Sequence, residues 1–139
     1  MKQKKSKIIS VIFFVLNITP ASAQYSSNFY GDCVAVTAIQ WNIALGAPGA
    51  DKSDKNIKRL SDTMKLFQEI QIQYYIKNGA PRQSAINSAK NYKGQFFNHM
   101  KNPDLVNSSI DEIKNQIQKC SNSINQDPMA KSVLQRMDF

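Results

Sequence analysis

From Asp32 to the C-terminus the apolar residues of this chain recur at steps of three and four, the spacing of one face of a helix, and no stretch alternates as a strand does. The most apolar of these stretches is Asp32 to Leu45. At 100° per residue Val34, Ala38, Trp41 and Leu45 share one face, while Val36, Ile39 and Ile43 fall opposite. A surface helix carries one apolar stripe, so this pattern predicts a central helix covered on both sides, or one face committed to a partner chain. The preceding Gln24 to Gly31 reads as an irregular lead-in, with Ser27 or Asp32 as candidate caps.

Gly46-Ala47-Pro48-Gly49 turns the chain. A long helix from Asp54 to about Lys77 follows, starting near Asp51 or Ser53 and carrying Ile57, Leu60, Met64, Phe67, Gln71 and Tyr74 on its stripe, widened by Leu66 and Ile70. Asn78-Gly79 ends it, and Pro81 suits the first turn of a third helix, whose core positions are Ala85, Ala89, Tyr92 and Phe96. Gly94 inside that helix costs roughly 1 kcal/mol relative to alanine, which close helix packing explains better than a ligand's approach. Asn102-Pro103 closes the helix. Ser109 and Glu112 then have capping-box spacing ahead of a fourth stripe, Ile110, Ile113, Ile117, Cys120 and Ile124. Asp127-Pro128 marks a stop and a restart, after which Met129, Val133 and Met137 share a face. The prediction is an all-α fold: a small antiparallel four-helix bundle with a short C-terminal helical segment, which folds back over the second face of the first helix and leaves a monomer. Without that cover, the bare face would favour a homodimer.

The N-terminus adds the compartment. Lys2, Lys4, Lys5 and Lys7 precede the apolar run Ile8 to Leu16, and Ala21-Ser22-Ala23 offers a cleavage site, the three parts of a secretory signal peptide over residues 1–23. The run is far short of the roughly 20 residues a membrane span needs. Gln24 after the cut, and the lack of a lipobox before Cys33, argue against a lipid anchor. The expectation is export to the periplasm, with full secretion as the alternative, and a single domain over residues 24–139. Cleavage removes four of the 18 basic residues and none of the 10 acidic ones, which lowers the net charge from +8 to +4. That balance, on an exported chain, does not suit a nucleic-acid partner.

The two cysteines, Cys33 and Cys120, lie near the start of the first helix and the end of the fourth, which an up-down-up-down bundle brings to the same end. In an oxidising compartment the expected state is a disulfide that staples the bundle, closing a loop of roughly 88 residues worth about 4 to 5 kcal/mol at most in the chain-entropy model. The alternative is a pair of buried thiols.

Catalytic equipment is sparse. His99 is the only histidine, which leaves no imidazole set for zinc or di-iron within one chain, and its place near a helix end suits the helix dipole. No haem-attachment motif, Cys-x-x-Cys pair, phosphate loop or serine elbow occurs. Asp111 and Glu112, being adjacent, diverge on a helix and read as capping residues. The sequence thus predicts no cofactor, no metal and no enzyme. Lys52, Lys55, Lys58 and Arg59 form a basic cluster interrupted by Asp51, Asp54 and Asp62; it reads as a solvated face, with a contact patch for an acidic protein surface or anionic envelope polymer as the alternative. Lys55, Arg59 and the off-stripe Tyr75 are the candidate partner contacts. In architecture the chain is similar to small disulfide-stapled helical proteins that bacteria export to bind other proteins, such as toxin-neutralising immunity proteins and hydrolase inhibitors. This similarity implies a protein-binding module of inhibitor or immunity type; an envelope-assembly or secretion accessory protein, a chaperone included, is the rival, and an enzyme whose carboxylates spacing does not reveal is a third reading.

Overall fold

A computed structural model describes the backbone of residues 25–100 and 110–138 and the side chains of residues 25–93 and 110–138. Five helices follow one another: α1 Ser27–Leu45, α2 Lys55–Lys77, α3 Arg82–Met100, α4 Ile110–Gln126 and α5 Pro128–Arg136. The described residues contain no strand. The bundle is all-α, as the apolar spacing predicts.

Local chemistry places most of the ends. The Asp54 carboxylate caps α2 by accepting the Asn56 N–H at 2.8 Å, and Gly79, at φ +101°, takes the left-handed conformation that closes the helix without a Cβ penalty. Pro81 stands one place ahead of α3, where its carbonyl accepts the Ala85 N–H at 2.9 Å. Asp127 alone joins α4 to α5, and Pro128 fills the first turn of α5. The Ser109 cap and the Asn102-Pro103 stop lie outside the described residues, as do the surroundings of Gly94 and the side chains of Phe96 and His99.

The start of α1 departs from expectation. The N-cap is Ser26, whose Oγ accepts the Phe29 N–H at 3.1 Å, so the supposed irregular lead-in is helical from Ser27 onward. Burial is the reason. The Tyr30 ring is fully enclosed and stacks on Tyr74 at 5.6 Å between centroids, and Gly31 lets Tyr92 and Gln71 pack against the helix backbone. A Cβ on Gly31 would meet the Tyr92 ring at 2.6 Å and the Gln71 Nε2 at 2.7 Å. Close packing outweighs the ~1 kcal/mol helix penalty of glycine here.

α1 and α2 form the most extensive pair and run antiparallel, with Tyr30 near the start of α1 beside Tyr74 near the end of α2. α4 runs antiparallel to α1. Cys120 is bonded to Cys33 across a Cα–Cα distance of 5.7 Å, and the Tyr25 hydroxyl donates to Gln126 Oε1 at 2.8 Å. The main core gathers Tyr30, Val34, Val36, Leu66, Phe67, Ile70, Cys120 and Val133, and a smaller cluster around Ile72, Ala85 and Ala89 joins α2 to α3. Arg82 clamps the same two helices by donating to both Glu69 carboxylate oxygens, at 3.0 and 3.2 Å. Burial pushes the Glu69 carboxyl up, but the Arg82 guanidinium and the Gln73 amide outweigh it and hold it below its ordinary value.

The two-sided burial of the first helix holds only for its first half. Val34, Val36 and Ala38 are buried, Ile39, Trp41 and Leu45 are half-buried, and Ile43 is 70% exposed. The expected cover is not supplied by α5, which packs on α2 and α4 instead. Geometry decides this. Asp127 is held beside Tyr30 and Tyr74, and nine helical residues span only about 13 Å, enough to run back along α2 as far as Leu66 but not to the far end of α1.

Candidate functional site

Two places in the fold concentrate polar chemistry. One is internal. Asp127, only 3% exposed, accepts from the Tyr30 hydroxyl at 2.6 Å and the Tyr74 hydroxyl at 2.8 Å through Oδ2, while its Oδ1 caps α5 by accepting the Met129 N–H at 2.9 Å. Burial first, and the hydrogen bond to Asp127 second, push both phenols well above the ordinary tyrosine value. With its oxygens engaged by donors from three helices, this carboxylate fastens α5 to the bundle and offers nothing to a substrate. A second carboxylate–phenol pair, Asp32 and Tyr92, joins α1 to α3. Burial raises the Asp32 carboxyl, an effect its hydrogen bond from Tyr92 opposes, and burial followed by Asp32 raises the Tyr92 hydroxyl. Gln71, 1% exposed on α2 beside this pair, makes no side-chain hydrogen bond among the described residues. No group of three or more His, Cys, Asp or Glu among the described residues stands close enough to hold a metal ion.

The other place is external and includes two of the three candidate contact residues. Lys55, Lys58 and Arg59 occupy the first two turns of α2 and share a wall of an open groove of about 420 Å³, continued by Asp62, Thr63 and Leu66 and closed on the far side by Leu134 of α5. Lys58 pairs with Asp62 at 3.2 Å, one turn on. Among the described residues no carboxylate stands within ion-pair distance of the Lys55 ammonium or the Arg59 guanidinium. The acidic residues nearest Lys55 in sequence are engaged locally, Asp54 by the Asn56 N–H and Asp51 by the Ser53 N–H at 3.0 Å, and Asp62, the nearest to Arg59, is held by Lys58. A second groove, of about 280 Å³, opens on the other side of Arg59 and Thr63, among Val36, Gln40, Phe67, Ile117 and Ile124. Arg59 therefore stands on a ridge between two concave surfaces with partly apolar walls.

Tyr75 does not join them. It lies 16 residues beyond Arg59 on the same helix, about 24 Å away along the axis, and packs half-buried in the small cluster between α2 and α3. Leu134 was not singled out by sequence reasoning, because it sits off the Met129–Val133–Met137 stripe. That offset was itself the available signal: an apolar residue on the outer side of a short helix, 38% exposed in the fold. Lys52 lies in the loop ahead of α2, outside the groove wall. No helix among the described residues is long and apolar enough to cross a membrane. Comparison with protein-family models, with curated proteins and with solved structures gives no match to this chain, so its functional reading rests on its own residues.

Proposed function

We propose that the protein acts outside the cytoplasm, in the periplasm, by binding another protein, as an inhibitor or immunity-type partner. The observation that carries this reading is the pair of open grooves on either side of Arg59, presented by helices that a disulfide and the Asp127 hydrogen bonds hold in place. A rigid scaffold lowers the conformational entropy lost on association, which favours recognition by a fixed surface. Export is supported by the lysine-led apolar leader of residues 1–23, and the disulfide fits an oxidising compartment.

The test is affinity capture with the oxidised mature protein from envelope extracts, followed by mass spectrometry. A single enriched protein whose activity falls on addition of the chain supports an inhibitor, and a toxin encoded by the adjacent gene supports immunity. Failure to enrich any specific protein under several salt conditions overturns the reading.

A further inference from the structure

We propose that the face of α2 around Arg59 docks an acidic segment of the partner in which carboxylates alternate with apolar side chains. This deepens the protein-binding reading and rests on it. Charge sets the first requirement. Among the described residues the groove between α2 and α5 carries three cations against one carboxylate, and that carboxylate, Asp62, is already paired with Lys58, which leaves Lys55 and Arg59 without a counter-ion among them. A guanidinium on an exposed ridge presents a planar fork suited to bidentate binding of a carboxylate. Apolar surface sets the second. Exposed Leu134 on one side of the ridge, and half-buried Ile117 and Ile124 on the other, would lie idle beneath a polyanionic polymer, whereas a peptide whose carboxylate engages Arg59 can set its neighbouring apolar side chains into the two grooves. Spacing agrees with this arrangement, because Arg59 and Thr63 line both grooves and one ligand segment can cross the ridge between them.

The experiment uses the oxidised mature protein to select short random peptides displayed on phage. The enriched peptides are then labelled with fluorescein and titrated by anisotropy, beside poly-L-glutamate and dextran sulfate. Expected are sequences rich in Asp or Glu next to Leu, Ile or Phe, whose affinity falls about tenfold or more in Arg59→Glu and in Leu134→Ser and weakens as salt is raised. Lys90→Glu, the same charge change on the exposed side of α3, should leave binding intact. Circular dichroism and the intact disulfide verify the fold of each variant. Enriched peptides that bind equally well to both groove variants overturn this proposal but leave the protein-binding reading standing. Binding of dextran sulfate as tight as that of the peptides, unaffected by Leu134→Ser, overturns it in favour of an anionic polymer. A selection that yields no binder also overturns it, and the capture experiment then judges the broader reading separately.

Discussion

Removing the Asp127 carboxylate should destabilise the protein more than any other single truncation of a polar side chain. In Asp127→Ala, α5 loses its N-cap, worth about 1 kcal/mol. The Tyr30 and Tyr74 hydroxyls lose their acceptor while their rings stay buried, and each unpaired hydroxyl costs about 1 to 3 kcal/mol. Ser123 stays beside Tyr30 and recovers part of that loss. The expected total is about 3 to 5 kcal/mol, a large share of the 5 to 15 kcal/mol typical of a whole domain. Guanidinium unfolding of the oxidised protein, followed by far-ultraviolet circular dichroism, measures it directly. Tyr74→Phe supplies the internal control. In the native background it should cost about 1 to 2 kcal/mol, and in the Asp127→Ala background it should instead recover part of the loss, because the hydroxyl it removes is by then buried without an acceptor. An Asp127→Ala protein within about 0.5 kcal/mol of wild type, or Tyr74→Phe effects that simply add, would show that the carboxylate does not bind the two phenols together.

Four further outcomes follow from the same packing. Cys33→Ser/Cys120→Ser should unfold at markedly lower denaturant, by at most about 4 to 5 kcal/mol, yet keep a helical spectrum, since the apolar stripes and not the staple specify the helices; peptide mapping that finds both thiols free in protein isolated without reductant would contradict the bond itself. Gly31→Ala should cost about 1 to 3 kcal/mol despite alanine's better helix propensity, and Tyr92→Leu in the same chain should recover part of it by clearing the ring; a stabilised Gly31→Ala would refute the close approach. Gln71→Met should raise stability by about 1 kcal/mol by replacing a buried, unpartnered amide with a side chain of similar length, and a loss of stability would mean that the amide has a partner. Alkaline titration followed by tyrosinate absorbance tests the buried phenols. Tyr30, Tyr74 and Tyr92 are raised above their ordinary value near 10, so the stability they contribute is fully present below about pH 10 and is lost as pH rises toward their folded values. Their ionisation should lag behind that of free tyrosine and coincide with loss of helix, and three normal, reversible titrations in the folded protein would exclude the burial described.

Periodicity and turn chemistry alone were enough to set out the helices of this protein. The steps of three and four, Asp54, Asn78-Gly79 and Asp127-Pro128 act locally, through side-chain faces, caps and backbone torsions, and so they can be read one segment at a time. The Cys33–Cys120 pairing was also legible, because antiparallel order puts those two helix ends together. The start of α1 was less so. Gly31 looks like a helix breaker until Tyr92, 61 residues away in the chain, is seen to need the space its missing Cβ leaves. The direction of α5 depends likewise on long-range pairing. Asp127 reads as an ordinary stop in sequence, and only the fold brings Tyr30 and Tyr74 to its carboxylate and thereby sends the last helix along α2 instead of over Ile43. The candidate site divides in the same way. Lys55 and Arg59 share a helix face by their spacing of four, so sequence pairs them; Tyr75 is separated from them by the length of α2, and Leu134 joins them only because a helix from the other end of the chain closes the groove. Spacing along the chain fixes what lies on one helix, and packing between helices decides which of those faces meet, which stay open, and what chemistry they enclose.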